Sequence, residues 1–261
     1  MITRTDSYAL AAEEVERFRL RGCGVLHDVL SEDEAARYLP ALRDYVLQIK
    51  AEGAGIDAAP FGNAAKGNMR TSYNLAEAPE IVQELVRLPK LGEIAAQLLG
   101  VDVVRVLHFC GHFKPSGGGP TPWHQDLAYI PLDTDKVVSL WIALTDVTPE
   151  MGPLVFAEGS HKSGLLDGLP AGHSFRLVQN EPMRRGDVSM HAGWTMHGAA
   201  PNRSGVDREA VTICYFADGA HVKLGTNAMG MQSFMSSCFA GLTPGDVAAG
   251  PLNPVVYRRS A

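Results

Sequence analysis

Cysteine is scarce in this chain: Cys23, Cys110, Cys214 and Cys238 are the only four among 261 residues. None follows CxxC spacing, and the density is far below that of a secreted disulfide scaffold. Reduced thiols in a cytoplasmic protein are therefore expected. Long apolar runs are missing too. No stretch of about 18 uncharged apolar residues occurs, so no membrane-spanning helix is expected. The opening MITRTDSYALAAEEVERF mixes both charge signs before any apolar core and does not read as a secretory signal. Basic residues are not in excess: 23 Lys and Arg stand against 29 Asp and Glu, for a formal charge of -6. Scattered cations on an acidic chain argue against nucleic acid as a partner. What is present is apolar material, 46% of the chain, enough for a real core and too much for disorder. Small-molecule chemistry is the class that remains.

Histidine is unevenly placed, since seven of the nine fall between His108 and His197. The residues before that cluster have helical texture. Ala12 to Arg19 is amphipathic, and Ser31 with Glu34 forms a capping box that opens AARYLPALRDYVLQIK, a helix Pro40 is expected to interrupt or kink. Residues 51–71 lack periodicity and read as a loop, whereas 78–99 regain apolar spacing at i, i+3 and i+4. From Val101 short β-branched runs alternate with Gly- and Pro-rich turns, the texture of a sandwich or jelly-roll barrel. Residues 221–261 form a Met-rich tail, either a lid over the barrel mouth or a loose terminus. No linker separates these parts. The expectation is one domain over 1–261, with helical support in 1–100 and the barrel core in 101–220.

His124-Gln125-Asp126 follows the turn PSGGGPTP. On an extended segment, residues i and i+2 share a face, so the imidazole and the carboxylate can reach one metal ion. The pair alone is weak, because a surface strand carries it equally well. A third ligand must come from a distant strand, and His191 and His197 are the candidates. Two histidines and one carboxylate leave about three open positions on Fe(II), the arrangement that non-haem iron oxygenases need. His197 is followed by Gly198, the turn PNRSG and then Arg208. An arginine turned into a barrel calls for a carboxylate partner, because an unpaired buried guanidinium is costly.

Three stretches together resemble the phytanoyl-CoA dioxygenase family of Fe(II)- and 2-oxoglutarate-dependent oxygenases: FKPSGGGPTPWHQDLAYIP, VVSLWIALTDVTPEMGPLVFAEGSHKSG and RRGDVSMHAGWTMHGAAPNRSGVDREAVTICYF. The front segment EEVERFRLRGCGVLHDVLSEDEAARY is similar to the opening of that family. The resemblance implies a double-stranded β-helix barrel, a jelly-roll with cupin-like form, mainly β with flanking α-helices. It implies that His124, Asp126 and His197 are the metal ligands and catalytic centre. It further implies that Arg208 clamps the far carboxylate of 2-oxoglutarate and that Trp141 lines the cosubstrate pocket. Fe(II), 2-oxoglutarate and O₂ are the cofactors so implied. His108 is a further candidate for touching the cosubstrate, with a satisfied interior histidine as its alternative. The remaining histidines, His191 among them, read as structure or pocket lining, and His161 with Ser160 as a turn. Glu158 stands where the family more often has Pro, and Ala199 where a hydroxyl residue often follows. Related iron halogenases replace the carboxylate ligand with a small residue, so Asp126 argues against halogenation.

The implied reaction is oxidation of a small-molecule metabolite with release of succinate and CO₂. Hydroxylation is the ordinary outcome; cyclisation, desaturation and epimerisation are open to the same chemistry. Loops 51–71 and 222–243 are rich in Ala, Gly and Met and hold no basic cluster for a coenzyme A phosphate, so a smaller, partly apolar metabolite is expected, with a natural-product intermediate as one candidate. Lys66 and Arg70 read as solvated cations. A catalytically silent barrel that binds or senses a small molecule is the rival reading. No feature sets an oligomeric state.

Overall fold

The computed structural model describes residues 8–51, 56–57, 69–73, 78–225 and 228–259. Helix α1 (Ala12–Arg21) ends on Gly22, whose φ of 76° lies in the left-handed region. A Cβ at Gly22 would meet His161 Nδ1 at 2.2 Å, so glycine is needed there twice over. Helix α2 (Glu32–Ala51) opens with the expected capping box: Ser31 N–H donates to Glu34 at 2.8 Å, and Glu34 N–H donates to Ser31 Oγ at 3.3 Å. Pro40 does not end this helix. Leu39, Leu42 and Val46, at most 2% exposed, bury its inner face, and that packing offsets the hydrogen bond the proline removes. Helices α3 (Glu80–Val86) and α4 (Pro89–Leu99) complete the front, with Pro89 in the first turn where its missing N–H costs little.

Strands then build two sheets. The larger has eight strands in the order β1-β9-β6-β11-β4-β3-β2, with β12 also paired to β4. These are β1 (Cys23–Leu26), β2 (Ile56–Asp57), β3 (Met69–Tyr73), β4 (Val103–Phe113), β6 (Val137–Ala143), β9 (Val188–Ala192), β11 (Ala210–Ala217) and β12 (Val255–Arg258). The smaller runs β5-β10-β7-β8, from β5 (Thr121–His124), β7 (Leu154–Ala157), β8 (Leu177–Gln179) and β10 (His197–Ala199). All strand pairs are antiparallel, and the two sheets form the double-stranded β-helix.

Two expectations about connecting segments are corrected. Residues 51–71, expected as a loop, contain β2 and the start of β3, which pairs with β4 through Tyr73↔Phe109 and Met69↔Phe113. Backbone pairing at the side of a long strand does not depend on apolar alternation in the added segment. The tail is not a loose terminus: it holds helix α5 (Ala228–Cys238) and β12. Lys66 lies outside the described residues.

Alternation along β6 explains the layering. Val138, Leu140 and Ile142 join Leu42, Leu85, Leu91 and Ile94 in the core beneath the helices. Trp141 and Ala143 face the other way and pack with Leu154, Phe156 and Ala199 of the smaller sheet. A third cluster sets Val137, Leu107 and Phe216 against Cys238 and Phe239 at the end of α5. Helices α2, α3 and α4 therefore brace the outer face of the large sheet and leave its inner face to the barrel. Among the described residues no helix is long and apolar enough to cross a membrane.

Candidate metal centre

Strand register lines up two rows of side chains on the inner face of the large sheet. Cys23, His191, Ser139, Cys214 and His108 stand opposite one another on β1, β9, β6, β11 and β4. Two residues along lie Val25, Ser189, Trp141, Thr212 and Cys110. His191, Ser139, Ser189 and Thr212 are all buried. Polar side chains in the middle of buried strands call for partners; Ser139 and His191 find one in Asp126, whereas Ser189 Oγ has none among the described residues.

The smaller sheet presents the imidazoles. His124 ends β5 directly opposite His197, the first residue of β10, with ring centroids 4.1 Å apart. Nδ1–H of His124 donates to Pro122 O at 2.8 Å and Nδ1–H of His197 to Thr195 O at 3.0 Å. Those bonds fix the tautomers and place the lone pair of each ring on Nε2. Asp126 does not continue the strand, as the i, i+2 reading expected. It opens a 3₁₀ turn (Asp126–Ala128), which swings its carboxylate towards the imidazoles. Asp126 Oδ1 lies 3.6 Å from His124 Nε2 and 3.8 Å from His197 Nε2. One ligand atom from each of the three falls within 4.8 Å of the others, so the set can hold one metal ion.

The electrostatics suit that use. Burial pushes the Asp126 carboxyl up, but the surrounding imidazoles, His197 foremost, outweigh it and hold the group well below the usual carboxylate range. Burial, then the neighbouring His124 and His191, holds His197 well below the usual imidazole value. A charged carboxylate beside a neutral imidazole is the protonation state a divalent cation requires. The other oxygen, Asp126 Oδ2, accepts hydrogen bonds from Ser139 Oγ at 2.7 Å and His191 Nε2 at 3.0 Å.

Two cations lie at the other end of the inner face. Lys114 and Arg208 form an antiparallel bridge, with backbone hydrogen bonds of 2.8 and 2.9 Å. They are 1% and 3% exposed, and among the described residues neither forms an ion pair. Lys114 Nζ donates to Ala200 O at 2.6 Å. Arg208 donates to Gly152 O, while its Nε has no hydrogen-bond partner. Burial brings Arg208 down to about 10; burial and then the Arg208 charge bring Lys114 down to about 7. The guanidinium stands 5.2 Å from the centre of the Trp141 ring, two residues along β6 from Ser139. Two buried cations, with one N–H unpaired, fit an anionic group of carboxylate type.

The sequence profile of phytanoyl-CoA dioxygenase (PhyH) matches residues 18–210. The chain belongs to this family. It is a non-haem Fe(II)- and 2-oxoglutarate-dependent oxygenase by class, with a barrel and a His-Asp-His cluster that agree. A probable alpha-ketoglutarate-dependent hypophosphite dioxygenase of Stutzerimonas stutzeri is 26% identical over 248 residues, covering 87% of this chain and 86% of that protein. The crystal structure of the alpha-ketoglutarate-dependent carbocyclase SnoK from nogalamycin biosynthesis superposes with TM-score 0.76 at 26% identity, covering 94% and 96% of the two chains. The epimerase SnoN, solved with Fe3+, alpha ketoglutarate and nogalamycin RO, superposes with TM-score 0.75 over 93% and 96%. At 21% identity that likeness concerns the fold alone.

Within this phytanoyl-CoA dioxygenase barrel the expected residues divide. His124, Asp126 and His197 converge. Arg208 and Trp141 meet each other. His108 sits two strands from Ser139, with its ring edge-on to Phe234 of α5 at 5.0 Å. His191, set aside as structure or lining, binds Asp126 directly. Lys114 and Ser139 were not singled out for chemistry. Lys114 could have been found by extending the even-numbered alternation of β4 one step past its end, and Ser139 as the lone hydroxyl in the apolar run VVSLWIA.

Proposed function

We propose that His124, Asp126 and His197 hold Fe(II), that Arg208 and Lys114 receive the far carboxylate of 2-oxoglutarate, and that the enzyme hydroxylates a small, partly apolar metabolite. The supporting observation is a buried cation pair, with no ion-pair partner among the described residues, that shares the barrel interior with a convergent His-Asp-His set. Ser139 bonds Asp126, Trp141 lies two residues further along the same strand, and Arg208 stands over Trp141. Two residues of strand span about 7 Å. A short dicarboxylate bridges such a gap, with one end at the triad and the other at Arg208.

Fe(II) with 2-oxoglutarate and O₂ supplies oxidation of a substrate C–H bond, with succinate and CO₂ released. The chain's own part is to orient and to exclude water. Backbone carbonyls of Pro122 and Thr195 hold the two imidazoles in ligating tautomers. Trp141, 2% exposed, closes the wall against which the cosubstrate chain lies. The substrate class rests on the segments 51–71 and 222–243, whose sequences are rich in Ala, Gly and Met and poor in fixed charge.

Metal-free protein titrated anaerobically with Fe(II) and then 2-oxoglutarate is expected to show a weak visible charge-transfer band that needs both additions. Admitting O₂ should then yield succinate. His124→Ala should abolish succinate formation, and Arg208→Ala should raise the 2-oxoglutarate requirement by about 100-fold, the upper end for a lost charged hydrogen bond. A missing band together with firm zinc binding would instead describe a silent metal-binding barrel. Once a substrate is found, product mass separates the outcomes: one oxygen gained for hydroxylation, two hydrogens lost for desaturation or cyclisation, no change for epimerisation.

A further inference from the structure

Asp126 has two oxygens, and the protein treats them differently. Oδ1 is the oxygen that faces the Nε2 atoms of His124 and His197, at 3.6 and 3.8 Å. Oδ2 is turned to the large sheet, where Ser139 Oγ lies at 2.7 Å and His191 Nε2 at 3.0 Å. A carboxylate only accepts, so both partners donate. His191 therefore carries its proton on Nε2. The single Ser139 proton goes to Asp126, so the 2.9 Å contact between Ser139 Oγ and Cys214 Sγ has the thiol as donor. The chain of donors runs Cys214 to Ser139 to Asp126. Both lone pairs of Oδ2 are thereby filled from the protein.

We propose that His191 and Ser139 are positioning residues that confine Asp126 to one-oxygen ligation. The inference rests on the reading of the triad as the metal site. A six-coordinate ion with three protein ligands keeps three open positions. The keto-acid end of 2-oxoglutarate would take two and leave the third for O₂. A carboxylate that chelated through both oxygens would consume one of the three and leave the pair of co-reactants without room. The donors are well anchored: Ser139 is fully buried and His191 is 2% exposed, its ring 4.2 Å from His197 and 5.6 Å from Phe156. His191 Nδ1 is buried with no hydrogen-bond partner among the described residues, a cost the fold bears while the other nitrogen serves Asp126.

The test uses the full chain loaded with Mn(II), and pulsed electron paramagnetic resonance in oxygen-17 water to count water molecules on the metal. Three are expected for the wild type and for His191→Gln, whose amide can donate from a similar position. Two are expected for His191→Phe, which keeps the ring and removes the donor. The Mn(II)-loaded His191→Phe protein should also bind 2-oxoglutarate about 10-fold more weakly, the lower end for loss of a hydrogen bond to a metal ligand. Ser139→Ala, which removes the second donor from the other strand, should likewise carry two waters and guards against a His191→Phe protein that does not fold. Three waters in the folded donor-deleted variants would overturn the proposal. Failure of the underlying site would show earlier, as a wild-type protein that binds no Mn(II).

Discussion

At neutral pH the Lys114 ammonium is only partly protonated, because burial and the Arg208 charge bring its pKa down to about 7. An anionic guest between the two cations favours the protonated form and raises that value. The free enzyme must then take up a proton to bind the guest above about pH 7, so affinity for 2-oxoglutarate should fall as pH rises through that value. Lys114→Met should weaken 2-oxoglutarate binding about 10-fold and remove this pH dependence, while Mn(II) binding stays unchanged; calorimetric titration across pH checks both. The site candidates that the sequence alone offers are those whose spacing along the chain is local. His124 and Asp126 are two apart, and His197 precedes a hairpin whose far side carries Arg208. His191 and Ser139 lie 65 and 13 residues from Asp126 in the chain, and only the register of β9 against β6 brings them to one carboxylate.

Elements with a strong period were legible, and those defined by pairing were not. α2, β4, β6 and β11 follow the apolar pattern of their sequences. β5 and β10, with four and three residues, are too short to display a period, although they carry both histidines of the candidate metal set. Gly198 marks β10 only in retrospect: a Cβ there would meet Thr121 O at 2.8 Å, so the close approach of β5 to β10 depends on its absence. The junction between β1 and β9 carries a pH response of its own. His27 Nδ1 meets Asp187 at 2.8 Å and Nε2 meets Glu181 at 3.1 Å, while Asp187 also accepts from the backbone of Asp28 and Arg184. The Asp187 hydrogen bond foremost raises the His27 pKa, with burial opposing it. The clamp is therefore complete below the unfolded value of about 6.5 and is lost as pH rises through the raised folded value. Urea midpoints should drop as pH rises from about 6.5 through the raised folded value, and His27→Gln should flatten that drop.

Across the whole molecule the site joins the two sheets. Its imidazoles stand on the small sheet, and the donors to its carboxylate stand on the large one. Ligands that bind only this assembled state should stabilise the entire fold. At 100 times the dissociation constant the gain is about 2.7 kcal/mol, a rise in melting temperature of roughly 5–10 °C for a chain of this size. Mn(II) with 2-oxoglutarate should give that rise in a thermal scan, and His197→Ala should show none of it. The direct opposition of His124 and His197 across β5 and β10 has one more consequence. Their spacing is that of neighbouring strands, as invariant as the hydrogen-bonded ladder itself, whereas Asp126 rides on a turn and is tethered to the opposite sheet. The centre thus spans the gap between the sheets: two nitrogens set by one ladder and a carboxylate held from the other, across the layer in which Trp141 and Phe156 pack together.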